Sequence, residues 1–187
     1  MAAAFEIVTF IFTGADGEDI PRDATHVIIH ESVFVIPART FAHHPNIIEV
    51  YCHVGVKIIE EEAFCYCRRL LRVIMPGVRV VEKCAFNYCP ALEFVECKKL
   101  EKIEERAFLA CKSLIGIDLT SATNVGERAI SCCISMKDAT FGKELGSIGG
   151  HAFTQCHSLE SITIPLKKGL MTCRFNMYHN NRFIYRV

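Results

Sequence analysis

Ile103-Glu104-Glu105-Arg106-Ala107-Phe108-Leu109-Ala110-Cys111-Lys112-Ser113-Leu114-Ile115-Gly116-Ile117-Asp118-Leu119 is one turn of a pattern that recurs along the chain. Its phenylalanine returns as Phe41, Phe64, Phe86, Phe108, Ile130 (the one substitution), Phe153 and Phe175, in steps of 22 or 23 residues. Around that slot the same residue types reappear. Ala stands one before it at 63, 85, 107, 129 and 152, with Thr40 in the first copy. Cys stands three after it at 67, 89, 111, 133 and 156, with His44 first, and Ile47, Leu70, Leu92, Leu114, Met136 and Leu159 follow six after it. A period of this length marks a solenoid, in which each repeat leans on its neighbours.

Ala, Phe, Cys and Leu lie at relative positions 0, 1, 4 and 7, the spacing of one face of a short helix. Beyond the Leu slot the alternation shortens to two residues. Val50-Tyr51-Cys52, Val73-Ile74-Met75, Val95-Glu96-Cys97, Ile117-Asp118-Leu119, Ala139-Thr140-Phe141 and Ile162-Thr163-Ile164 read as strands with one buried face. From the Phe slot to the second inward strand residue is always 11 residues. The length variation falls after the strand, which identifies that stretch as a surface loop. In the fifth copy Ile130 and Ala139 are small where Phe141 is large, so volume lost at two slots returns at a third. That copy is the expected soft spot.

The motif Ile103 to Leu119 resembles the BspA-like variant of the leucine-rich repeat family. The resemblance extends from about Val27 to Ile164, with a degenerate copy after it. It implies an α/β repeat solenoid, a right-handed horseshoe with short strands on one face and short helices on the other. It departs from the commoner leucine-rich repeat in lacking an Asn after the strand. Family members occur in bacterial surface antigens and in unicellular eukaryotes including algae, generally without known enzymatic activity. The run Thr13 to Arg22 is similar to the opening of algal members. The expected organisation is an N-terminal cap over residues 1–26, repeats over 27–164, and a degenerate repeat or C-terminal cap over 165–187. In that last stretch Phe175, Tyr178 and Ile184 are on register, while Arg174, Asn181 and Arg186 break it.

Hydrophobic residues make up 51% of the 187, enough for a continuous core in a single domain. Lys plus Arg equal Asp plus Glu at 21 each, which argues against nucleic acid or an anionic membrane as the main target. Arg68-Arg69, Lys98-Lys99 and Lys167-Lys168 read as solvated charge. Met1 to Phe12 carries Glu6 and no basic residue, unlike a signal peptide, and is too short to span a bilayer. Phe5 to Phe12 reads instead as a β segment covering the solenoid's open end. A cytoplasmic, monomeric protein is the expectation.

Eleven cysteines suggest disulfides or zinc. Five hold one repeat slot, where reduced Cys serves as a small buried hydrophobe, and stacked Cβ vectors run parallel rather than converging. In Cys65-x-Cys67, Cys132-Cys133, His43-His44 and Cys156-His157 one member is the inward residue, so the pair does not converge on a metal. Adjacent Cys156-His157 and Cys52-His53 face opposite ways, which suits no nucleophile–base pair, and Gly146 to Gly150 lacks the spacing and Lys of a phosphate loop. The expectation is a non-catalytic chain without cofactor or metal.

Its function is read as a protein-interaction module presenting a concave strand surface. Outward strand positions form two columns: Glu49, Arg72, Phe94, Gly116, Asp138, Ser161, and Tyr51, Ile74, Glu96, Asp118, Thr140, Thr163. The candidate partner-binding residues are Tyr51, Arg72, Ile74, Phe94, Glu96, Asp118, Asp138 and Thr140. Large apolar groups cluster at Tyr51, Ile74 and Phe94 beside an acidic half, which suits a partner with a hydrophobic and a basic end. The alternatives are a cell-surface or adhesion-type protein, or a fragment of a larger repeat protein.

Overall fold

In the computed structural model, residues 6–164 are described. The on-register residues of the last copy, Phe175, Tyr178 and Ile184, lie outside them, as does Phe5. Thirteen short strands wind as a parallel solenoid: β1 (Thr9–Phe12), β2 (His26–Ile29), β3 (Val35–Ile36), β4 (Glu49–Tyr51), β5 (Ile58–Ile59), β6 (Arg72–Ile74), β7 (Val80–Val81), β8 (Phe94–Glu96), β9 (Lys102–Ile103), β10 (Asn124–Val125), β11 (Asp138–Thr140), β12 (Ser147–Ile148) and β13 (Ser161–Thr163). The strands fall into two walls, to each of which most coils contribute one strand. One wall is a five-stranded sheet in the order β1-β2-β4-β6-β8, followed by the pair β11-β13. The other runs unbroken from β3 through β5, β7, β9 and β10 to β12. Residues one period apart pair directly, Val50 with Val73 and Val73 with Val95, so a slot in sequence becomes a column in space.

The third side of each coil is not helical. The described residues contain no helix, which corrects the α/β assignment and the short helices expected opposite the strands. The positions two before and two after the Phe slot take left-handed backbone conformations in every described coil. They are Arg39 and His43, Glu62 and Tyr66, Cys84 and Tyr88, Arg106 and Ala110, Arg128 and Cys132, and His151 and Gln155, with φ between 53° and 61°. A helix cannot pass through such residues, which cost roughly 1–2 kcal/mol each in an L-amino acid.

The compensation is visible in where the amides point. Glu62, Phe64 and Tyr66 donate to Lys83, Ala85 and Asn87 of the next coil at 3.0, 2.8 and 2.8 Å. The intervening Ala63, Cys65 and Cys67 donate three residues back, to Glu60, Glu62 and Phe64. A helix would direct its paired amides to carbonyls of its own coil rather than to the next coil. The turn ladder ties each coil to the next through backbone while still sending Ala, Phe, Cys and Leu inward. Buried backbone groups seek such partners wherever water is excluded.

The core is one continuous column. Phe41, Phe64, Phe86 and Phe108 stack with ring centroids 4.9–5.1 Å apart and planes within 10°. Phe12 closes that stack edge-on against Phe41 at 5.2 Å. In the fifth coil the stack ends at Ile130, and Phe141 turns its ring edge to Phe153 at 6.1 Å. Ile130, Ala139 and Phe141 are all buried in the continuous core.

Candidate functional site

The outward residues of the five-stranded sheet fall into the two expected columns. Tyr51 pairs with Ile74 and Ile74 with Glu96 in one; Glu49 pairs with Arg72 and Arg72 with Phe94 in the other. The first column also extends towards the N-terminus, where Ile11 pairs with Ile28 and Ile28 with Tyr51. Four apolar side chains therefore stand in a row, and Ile11, Ile28 and Tyr51 are 53%, 42% and 39% exposed. Ile11 and Ile28 both precede the first Phe slot, Phe41, so spacing counted from that slot did not reach them. The alternating pattern of Phe10-Ile11-Phe12 and Val27-Ile28-Ile29 was the available signal.

Around the row the polar groups engage one another. Tyr51 Oη donates to the Glu49 carboxylate, and that bond is the main reason its phenol is held above the ordinary value. The Arg72 guanidinium lies over the Phe94 ring, 5.3 Å from its centroid, in a cation–π contact. Phe94 remains 46% exposed.

The face is interrupted in the fourth coil. Ile115 to Asp118 do not form a strand; only a single bridge joins Phe94 to Gly116, and another joins Leu119 to Phe141. Glycine inside a strand weakens it, because no side chain packs there. The interruption opens a groove of about 680 Å³ lined by Leu71, Arg72, Glu93, Phe94, Val95, Ile115, Gly116, Ile117 and Asp118. Space around Gly116 is open, with no atom within 4 Å of where a Cβ would stand. Ile115, which is not among the candidate residues, is 46% exposed on the groove wall. The candidate residues thus divide. Tyr51, Arg72, Ile74, Phe94 and Glu96 share the five-stranded sheet, Asp118 sits in the break, and Asp138 and Thr140 belong to β11 beyond it.

The groups that suggested chemistry are used elsewhere. In the cysteine slot every thiol turns inward and donates to a carbonyl of the preceding coil, as from Cys67 to Phe41 at 3.0 Å. His44 is buried, whereas its neighbour His43 stacks on Tyr66 at 4.9 Å on the outer surface. Among the described residues no three His, Cys, Asp or Glu side chains are grouped to hold a metal ion. Among the same residues no helix is long and apolar enough to cross a membrane.

Residues 22–93 and 79–184 match the family model described as the BspA type leucine rich repeat region, in six copies. Among curated proteins, none matches the chain significantly. A leucine-rich repeat protein from Bacteroides ovatus superposes with a TM-score of 0.76 at 24% identity, over 90% of this chain and 47% of that one. The T. pallidum leucine rich repeat protein superposes with a TM-score of 0.56 at 21% identity, over 84% of this chain and 64% of that one. The chain therefore spans less than two thirds of the length of either structure.

Proposed function

We propose that this chain, which belongs to the BspA-type leucine-rich repeat family, is a non-catalytic interaction module that captures a protein partner on its strand face. One observation carries the reading. The inward slots repeat the same residue types from coil to coil, whereas the outward positions leave Ile11, Ile28, Tyr51, Ile74 and Phe94 together on one sheet, most of them well exposed. Contiguous exposed apolar side chains cost solubility and mark interaction surfaces. Arg72, Glu96, Asp118, Asp138 and Thr140 supply the polar border that sets orientation and partner choice.

The test compares capture by the wild type with capture by the triple variant Tyr51→Ser, Ile74→Ser, Phe94→Ser, circular dichroism confirming that both fold. The expected result is loss of the species enriched by the wild type. Tyr66 and Tyr88 stack on the turn side at 5.0 Å, and changing both to Ser is the control. Loss in the control with retention in the triple variant would move the site to the turn face.

A further inference from the structure

We propose that the groove at the sheet break is the specificity pocket of this face, and that it takes a segment of a partner protein carrying an aliphatic side chain next to a lysine or arginine. The inference rests on the interaction-module reading and adds the chemistry of the occupant.

The aliphatic half follows from shape. Phe94 and Ile115 form the walls, Leu71 and Ile117 contribute apolar surface, and Gly116 leaves an unfilled position where adjoining coils carry Phe94 or Asp138. A side chain entering there replaces the one that the chain omits, and it buries the exposed Phe94 and Ile115 surfaces. That burial is the attractive term the exposed walls forgo in the free protein.

The basic half follows from charge. Glu93 and Asp118 line the groove, and Glu96 and Asp138 flank it on the neighbouring strands. Arg72, the cation in the lining, is already stacked on Phe94. Backbone and hydroxyl of Thr120 hold one oxygen of Asp118, the amide at 2.9 Å, which fixes the carboxylate at the rim. An acidic rim around an apolar slot complements a basic, apolar segment and repels an acidic one.

The experiment is a titration of the isotopically labelled full chain, followed by amide resonances. The probe is the blocked hexapeptide Gly-Ser-Leu-Arg-Ser-Gly. Its two counterparts carry serine in place of leucine and glutamate in place of arginine. The expected result is movement of the resonances of residues 93–95 and 115–118 with the first peptide, and affinity lower by about tenfold or more for each counterpart. Gly116→Leu, which has open space to fill, and Asp118→Asn should each weaken the first peptide by a similar factor while leaving the spectrum of the other coils unchanged.

Equal response to the three peptides, or movement confined to other coils, overturns the proposal. So does movement of the groove resonances with protein concentration alone, which makes a second copy the occupant. Displacement of resonances from residues 165–187 by Gly116→Leu without peptide overturns it too, in favour of the chain's own segment. If Gly116→Leu captures the protein partner unchanged while the strand-face triple variant does not, the module reading stands and this one fails.

Discussion

Cys89 donates its thiol hydrogen to the carbonyl oxygen of Phe64, 3.1 Å away on the preceding coil. The same bond runs from Cys67 to Phe41, Cys111 to Phe86, Cys133 to Phe108 and Cys156 to Ile130, at 3.0–3.3 Å. The slot therefore asks for more than a small hydrophobe. It takes a compact side chain that can also satisfy a carbonyl in a site closed to water, and Cys meets both demands. Burial pushes the Cys67 and Cys156 thiols up to about 12 and those of Cys89, Cys111 and Cys133 well above the ordinary value.

The thiolate is the reactive form, so these five should be inert while the protein is folded. Cys132 is half-buried, its thiol bonded to Gln155 at 3.0 Å, and is the contrast. Timed alkylation read by peptide mass should label Cys132 well before the ladder, which should react only as fast as the protein unfolds. Labelling of Cys111 as quickly as Cys132 would show that the ladder opens locally.

Phe108 ends the aromatic stack, fully buried, with Phe86 at 5.1 Å. Phe108→Ala should cost about 3–5 kcal/mol, the usual loss for emptying a buried aromatic site. Phe94 is 46% exposed, so Phe94→Ala should cost about 1 kcal/mol or less, including its contact with Arg72. Urea denaturation of both variants decides the matter. Equal midpoints would mean that the Phe94 side of the sheet is buried in solution.

The slots at Phe64, Phe86 and Phe108 and the alternation at Val73-Ile74-Met75 were legible because burial imposes a residue type at each period. The turn side was not. Its spacing of 0, 1, 4 and 7 fits a helix and a chain of three-residue turns equally well. Glycine or asparagine would have signalled the left-handed positions, but they hold Arg39, Glu62, Tyr66, Cys84, Arg106 and others instead. Those side chains are tolerated because the next coil's carbonyls fix the backbone, a tertiary cause with no local trace. The groove was half legible: Gly116 fell in its outward column without being singled out, and the loss of strand over Ile115 to Asp118 depends on packing between coils.

Two glycines make that packing testable. A Cβ on Gly77 would stand 2.0 Å from the carbonyl oxygen of Val54 on the preceding coil, whereas one on Gly116 meets nothing within 4 Å. The first contact is with backbone held in the coil stack, so it can be relieved only by moving the coils. Gly77→Ala should destabilise by about 2 kcal/mol or more, and Gly116→Ala should stay within about 0.5 kcal/mol. Thermal melts of the pair check this. A benign Gly77→Ala would mean that the corner between β6 and β7 shifts freely.

The last prediction concerns His44, which holds the cysteine slot of the first coil. Its Nδ1 accepts the Ile47 amide at 3.2 Å and the Asn46 amide at 3.4 Å, so the ring hydrogen sits on Nε2 and is donated to the Pro21 carbonyl at 3.0 Å. The ring thereby ties residues before β2 to the first coil. Protonation would put a second hydrogen on Nδ1, facing two amide donors. Desolvation, with the nearby Arg22 charge, lowers its pKa below 6.5, against the opposing pull of the Pro21 bond and Asp23. With the folded value depressed, the unfolded chain binds the proton more readily. The contribution of His44 to stability is therefore complete above about pH 6.5 and is lost as pH falls from there through the folded value. Glu18 and Asp19 line the same surface hollow. Melting temperatures measured between about pH 7.5 and about pH 5.5 should fall more steeply in the wild type than in His44→Gln, which cannot titrate. Parallel pH profiles for the two proteins would show that the ring remains neutral, or finds another partner, across that range.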